Sequence, residues 1–255
     1  MIGVTSADRL SLSVTGPIAS GLAADDDNLV LRVLRELGHV AGIGDPSLAV
    51  TLEKNLPIAA GLGGGSSDAG AALRLANRAL GLDLPERDLA EISRVVGADG
   101  PMCLMARSAW ADGIGERLTP APDLPPLHAV LANPGRPSPT GAVYRAFDAG
   151  PACATDRPAE PKSWSPRAVI DWLATQRNDL EAPAVRLEPA IGAALSAMAA
   201  AGARLTRMSG SGATVFGLFD DAASAASAAD RLRGDHDHWW VQPTVLGHRS
   251  GPASR

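Results

Sequence analysis

The stretch Leu56-Pro57-Ile58-Ala59-Ala60-Gly61-Leu62-Gly63-Gly64-Gly65-Ser66-Ser67-Asp68-Ala69-Gly70 limits this chain more than any other part of it. Four of the five residues from 61 to 65 are glycine, so no Cβ stops the backbone from turning sharply or approaching a ligand closely. The pattern beyond predicts a helix from about Ser67 to Leu80. A helix N-terminus carries unbonded N–H groups and a partial positive charge, and a glycine-rich turn leading into one suits a phosphate. A serine hydroxyl there can also ligate Mg2+ on the phosphates, and Ser67 is the candidate. The plain alternative is a flexible loop with Ser66 or Ser67 as an ordinary N-cap. The length of the string, ahead of an alanine-rich helix, favours phosphate. Two familiar phosphate loops do not fit. No lysine follows the glycines, and Ser66 stands where a dinucleotide fingerprint needs its third glycine.

The 255 residues are 45% hydrophobic, enough for one large domain or two modest ones and too apolar for an extended disordered chain. No apolar run approaches the roughly 20 residues that span a bilayer. A net charge of −5 argues against a basic nucleic-acid surface. Cys103 and Cys153 form neither a disulfide framework nor a metal-ligand spacing. His236 and His238 have metal-like spacing without a third partner and read as surface residues. Met1-Ile2-Gly3-Val4 shows no secretory leader, so the expectation is a cytoplasmic protein with no membrane or nucleic-acid partner, a monomer or homodimer.

Strands and helices alternate along the chain, giving an α+β or α/β class. Leu10, Leu12 and Val14 alternate with serines in a half-buried strand over Arg9 to Thr15. Asp25, Asp26 and Asp27 offer N-caps for a helix through Leu37. Ser47 to Glu53 reads as a strand, and a helix begins near Pro85 and stops at Gly97. Met102 to Met105 and Ala109 to Asp112 read as paired strands. The proline-rich Pro120 to Pro126 marks a boundary between domains at 1–125 and 126–255. Beyond it come a strand over His128 to Ala132 and a surface linker over Gly150 to Pro166. Helices are expected near Ile170 to Leu173 and Leu187 to Met198, then strands over Leu205 to Met208 and Ala213 to Phe219. An alanine-rich helix over Ala222 to Leu232, a strand over Trp239 to Leu246 and a frayed tail over His248 to Arg255 complete the pattern. Trp239-Trp240 reads as strand packing.

Pro-x-x-x-Gly-Leu-Gly-Gly-Gly-Ser-Ser resembles the second signature of the GHMP kinases, ATP-dependent kinases of small molecules. Other stretches resemble that family in order: Asp27-Asn28-Leu29-Val30, Val96-Gly97-Ala98-Asp99-Gly100-Pro101, Gly113-Ile114-Gly115-Glu116, and Arg207-Met208-Ser209-Gly210-Ser211-Gly212-Ala213. The resemblance implies the α+β GHMP kinase fold, a ribosomal-protein-S5-like N-terminal domain followed by a ferredoxin-like C-terminal domain. It implies transfer of the γ-phosphoryl group of ATP to the 2-hydroxyl of the erythritol part of a CDP-linked substrate, CDP-methylerythritol, with Mg2+. Residues Pro57, Ile58, Ala59, Ala60, Gly61, Leu62, Gly63, Gly64, Gly65, Ser66 and Ser67 would hold the triphosphate. Gly210, Ser211 and Gly212 would close over it; their plain alternative is a simple connection between two strands. Asn28 and Lys54 would lie near the adenine. Read from the residues alone, Asn28 caps or stabilises its helix and Lys54 is a solvated strand end. Asp99 would act on the acceptor hydroxyl as base or orienting carboxylate; its plain alternative is a turn aspartate bonded to its own backbone. Asn133-Pro134-Gly135 would help shape the substrate side.

The resemblance also implies a Pro-Ala-Lys-x-Asn-Leu strand and an Asp-Gly-Tyr-His segment ahead of these motifs, and neither stands here. Thr15-Gly16 lies too close to Asn28 to be that first strand, so Met1 is expected to fall a few dozen residues inside the family pattern, leaving the N-terminal domain incomplete. The lysines of this chain are Lys54 and Lys162. Three readings stay open: the CDP-methylerythritol reaction, another small-molecule reaction of the same family, and an ATP-binding fragment without turnover.

Overall fold

The computed structural model describes residues 1–19, 22, 27–115, 117–150 and 158–247. Asp25, Asp26, Glu116, Cys153 and the expected tail from His248 lie outside the described residues. The chain divides into two compact units, Met1–Ile58 with Gly63–Pro122, and Ala59–Leu62 with Asp123–Arg255. No helix of the described residues is long and apolar enough to cross a membrane.

In the first unit β1 is Ile2–Ser6, β2 Ser11–Thr15, α1 Leu29–Val40, β3 Leu48–Glu53 and α2 Gly64–Ala79. Strand β3 is central, antiparallel to β1 and parallel to β2. The parallel pair needs a long crossover, and α1 supplies it. Leu48, Val50 and Leu52 point from β3 into the core, while Thr51 and Glu53 are exposed, as the period of a half-buried strand requires. Against them pack Val30, Val33, Leu34 and Leu37 from α1, and Ala69, Ala72, Leu73 and Ala76 from α2, spaced three and four apart on one helical face. Helix α3 is Glu86–Ser93, followed by one 3-10 turn over Arg94–Val96. Then come α4 (Gly100–Met105), β4 (Ala109–Asp112) and β5 (Arg117–Pro120), the last two an antiparallel hairpin around Gly113-Ile114-Gly115.

Three expectations need correction. Met102 to Met105 is helix α4, not a strand paired with Ala109 to Asp112; β5 takes that role. A short apolar run does not reveal its period. Here Pro101 in the first turn favours a helix, and Gly100 lets the backbone lie against Ser93, whose carbonyl oxygen would stand 2.1 Å from a Cβ. Helix α2 starts at Gly64, three residues before the expected Ser67. Glycine at 65, unfavourable inside a helix, leaves room for α1: a Cβ there would stand 3.1 Å from Leu29 Cδ1. The N-cap of α1 is Asn28, the plain alternative for that residue, and not one of the three aspartates before it; its Oδ1 accepts from Val30 N at 3.0 Å.

In the second unit β6 is Leu127–Asn133, α5 Thr140–Asp148, α6 Pro166–Ala174, α7 Glu181–Leu187 and α8 Pro189–Ala200. They are followed by β7 (Leu205–Met208), β8 (Val215–Phe219), α9 (Ala222–Asp235) and β9 (Trp240–Leu246). The sheet runs β7-β8-β6-β9, antiparallel throughout. With α8 and α9 as the helices between strands, this is the split βαβ of ferredoxin-like domains. Both faces of β6 are covered: Val130 and Ala132 meet α8 and α9, while Leu127 and Ala129 meet Val169 and Ile170 of α6. That is why its sequence reads as a nearly continuous apolar run. Trp239 packs beside that core and stacks on His236 at 3.7 Å, while Trp240 opens β9.

Leu73 is fully buried among α1, α2 and β3. Leu73→Ala is expected to lower unfolding stability by about 2–5 kcal/mol, read from the midpoint shift in urea.

Candidate active site

In the first unit the site is built on the start of α2. Gly63, at φ 62° and ψ 18°, is the left-handed residue before the helix, a conformation that suits glycine. A Cβ there would also stand 3.1 Å from Cys103 Sγ. Among the described residues no side chain caps this helix end. Its first N–H groups therefore remain available to an anion. The first internal bond runs from Ser67 N to the Gly63 carbonyl at 2.8 Å. Gly65 and Ser67 are exposed and Ser66 is buried.

Asp99 reaches this helix end from the turn before α4. Its Oδ1 accepts from Ser66 Oγ at 3.1 Å, and its Oδ2 lies 3.8 Å from where a Cβ on Gly63 would stand. Asp99 is the N-cap residue of α4 by position, yet its side chain makes no capping bond there. So the carboxylate is turned toward Ser66 at the start of α2 rather than onto the first turn of α4. Cys103, one helical turn further on, places its thiol at 3.7 Å from the Gly63 carbonyl. Burial pushes the Cys103 thiol pKa up, a hydrogen bond from Ser67 offsets part of this, and the Asp99 charge adds to the rise. Ser67, Gly70, Arg74 and Cys103 border a cavity of about 260 Å³ along α2 and α4.

Lys54 follows β3 and is buried rather than solvated. Its ammonium meets Asp68 Oδ2 at 2.5 Å, with side-chain exposures of 6% and 25%. A Cβ on Gly64 would lie 3.5 Å from Lys54 Nζ, so the lysine also sits against the start of α2. Asn28, the cap of α1, precedes Leu29, which packs on Gly65. Pro57 and Ile58 carry the chain toward the turn, with Ile58 exposed.

Residues Ala59, Ala60, Gly61 and Leu62 belong to the second unit, together with the loop between β7 and β8. Ser209 Oγ donates to the Gly61 carbonyl at 2.8 Å, and Thr214 N to the Ala60 carbonyl at 3.2 Å. Ala59 adopts φ 50°. Gly210 and Gly212 are also left-handed, at φ 53° and 86°. The Ser211 hydroxyl does not project outward: it is buried and bonded to Thr140 Oγ1 at 2.9 Å, while the Ser211 carbonyl accepts from Ser138 Oγ at 2.7 Å. Any contact of this loop with a phosphate therefore falls to its backbone. Asn133 is buried, donating to Thr214 Oγ1 at 3.0 Å and accepting from Gly135 N at 2.9 Å. It shapes the end of β6. The sequence did not point to Ser138, Thr140, Asn178 or Glu181 as supports of this loop. Their signals are ordinary polar residues near helix starts, and their partners lie 27 to 73 residues away.

Residues 28–107 match the family model for the GHMP kinases N terminal domain, and residues 168–237 that for GHMP kinases C terminal. A 4-diphosphocytidyl-2-C-methyl-D-erythritol kinase of Caulobacter vibrioides is 49% identical over 245 residues, covering 94% of this chain and 84% of that protein. This chain belongs to the GHMP kinase family. A protein of the same name from Methylobacterium radiotolerans is 48% identical over 241 residues, 93% of this chain and 82% of its own. The crystal structure of a 4-(cytidine 5'-diphospho)-2C-methyl-D-erythritol kinase superposes with a TM-score of 0.71 at 33% identity, covering 95% of this chain and 84% of that one. A homoserine kinase from Cytophaga hutchinsonii, at 18% identity and a TM-score of 0.67 over 96% and 87% of the two chains, shares the fold.

In this GHMP kinase the raised Cys103 pKa leaves less thiolate near pH 8 than an ordinary cysteine has. In a Cys153→Ser variant, exchange of Cys103 with an aromatic disulfide should be slow at pH 8 and accelerate as pH rises beyond the ordinary thiol range. The same chain unfolded in urea supplies the reference rate.

Proposed function

We propose that this chain transfers the γ-phosphoryl group of ATP to the 2-hydroxyl of CDP-methylerythritol, 4-diphosphocytidyl-2-C-methyl-D-erythritol, in the cytoplasm, as a step of non-mevalonate isoprenoid synthesis. The observation that carries the chemistry is the Asp99 carboxylate hydrogen-bonded to Ser66 in the first turn of α2. A phosphate cradle and a carboxylate then stand side by side. The named substrate comes from the kinship to the Caulobacter and Methylobacterium kinases.

Phosphoryl transfer asks mainly for positioning and charge stabilisation. Residues 57–67 wrap the triphosphate, with the N–H groups of Gly64, Gly65 and Ser66 and the helix dipole facing its charge. Gly210, Ser211 and Gly212 add backbone contacts. Asp99 takes or orients the proton of the attacking hydroxyl. The new P–O bond forms as the bond between the γ-phosphorus and the bridging oxygen breaks, and ADP leaves. Asn28 and Lys54 flank the start of α2, where they would border the adenine end. Mg2+ takes few protein oxygens and relies on phosphates and water. The exposed Ser67 hydroxyl fits that modest demand, and the ion would neutralise charge on the phosphates when bound. Residues 1–125 would form the domain holding the nucleotide and 126–255 the second domain.

A second reading, ATP binding without turnover, has one observation in its favour. The Lys54 ammonium is taken by Asp68, and among the described residues no ion pair joins a cation to Asp99. Two measurements decide. ADP release should follow addition of CDP-methylerythritol and not of homoserine, mevalonate or galactose; no release with any of them, together with tight ATP binding, selects the second reading. Asp99→Asn should lower kcat by about 10²–10⁴-fold while ATP affinity stays within a small factor, measured by calorimetry. Near-normal turnover in that variant would remove Asp99 from the mechanism.

A further inference from the structure

The loop between β7 and β8 is gripped from two sides, both within the second unit. On one side lies the turn before α7. Asn178 Nδ2 donates to the Met208 carbonyl at 2.9 Å and to the Gly210 carbonyl at 2.8 Å. Its Oδ1 accepts from Leu180 N at 3.1 Å, so all three bonds agree on one orientation of the amide. Glu181 Oε2 accepts from Met208 N at 2.7 Å. The backbone of residue 208 is thus held at both its N–H and its carbonyl, and the left-handed Gly210 is held at its carbonyl. On the other side lie Ala60 and Gly61, bonded to Thr214 N and Ser209 Oγ. The fit is tight there: a Cβ on Gly61 would stand 2.3 Å from the Ser209 carbonyl oxygen.

We propose that Asn178 and Glu181 are positioning residues for the nucleotide. They fix residues 208–210, and through Ser209 they set where the Ala60-Gly61 backbone lies in the glycine-rich loop. Neither needs to touch the nucleotide. The inference rests on residues 57–67 being the nucleotide loop, and not on the identity of the alcohol. Charge is not the operative property of Glu181; an acceptor oxygen is. Its amide analogue keeps that oxygen, and alanine does not.

The test measures, on the full chain, the Kd of ATP with Mg2+ by calorimetry, the KM of ATP and of CDP-methylerythritol, and the melting temperature. Asn178→Ala, which leaves the carbonyls of residues 208 and 210 without their donor, should weaken ATP about tenfold, with the KM of the alcohol within about twofold. Glu181→Gln should bind ATP like the parent chain and Glu181→Ala several-fold more weakly, irrespective of small changes in melting temperature. ATP affinity unchanged in a folded Asn178→Ala, equal losses for both substrates, or equal behaviour of Glu181→Gln and Glu181→Ala each overturns the proposal. Should Asn178→Ala fail to fold, the Glu181 pair decides alone. A parent chain that binds ATP but ignores CDP-methylerythritol would sink the substrate assignment and leave this inference to be judged on Kd. A parent chain that binds no ATP overturns it.

Discussion

The missing side chain of Gly61 is the constraint on which much of this molecule depends. Its α-carbon lies so close to residues 209 and 212 that a methyl group would meet the Ser209 carbonyl oxygen at 2.3 Å and the Gly212 nitrogen at 2.9 Å. Only a bare backbone allows that approach, and at φ 71° only glycine adopts it without strain. Once it is made, Ser209 Oγ and Thr214 N bond the two carbonyls of residues 60 and 61, and those groups need no water to satisfy them. Further along, Gly63 turns left-handed and releases the chain into α2. The glycine spacing therefore answers two separate demands: 61 serves close approach, and 63 serves the change of direction.

A second constraint is electrostatic. Lys54 and Asp68 are drawn together where β3 ends and α2 begins, with the lysine almost wholly out of water. Removing one partner of such a pair leaves the other charge uncompensated, which costs about 3–5 kcal/mol. The pair ties the strand end to the helix that carries Ser66 and Ser67. It also decides what Lys54 is free to do: its ammonium already has a carboxylate, and it lies beside Gly64 at the start of α2.

Much of this was legible in the residues. The alternation of Leu10, Leu12 and Val14, the apolar stripe of α1 and the alanine face of α2 each carry their period openly. The ordered motifs identified the family and made Asp99 a candidate. Other features were hidden for physical reasons. Strand β1 is only partly buried, and its Gly3 faces Thr51 across the sheet, so no strong alternation marks it. Helix α4 is too short to display a helical period. Asn178 and Glu181 look like the local polar residues of any helix start, and indeed Asn178 accepts from Leu180 N two residues on. Nothing local announces that the rest of its amide serves carbonyls some thirty residues away. Ser211 misleads in the opposite sense. The resemblance placed it in a loop over the phosphates, and its hydroxyl is buried and tied to Thr140.

The division of the chain has an implication for inheritance. Four residues, Ala59–Leu62, belong to the unit formed otherwise by Asp123–Arg255, while the residues on either side of them belong to the first. No single crossover can separate the second unit from the first. A join near residue 122 would bring a new loop at 208–212 against an old Ala60-Gly61, and the fit at Gly61 leaves no slack for a mismatch. Ala60-Gly61 and the Gly-Ser-Gly loop are thus one fitted surface, although 148 residues separate Ser209 from Gly61.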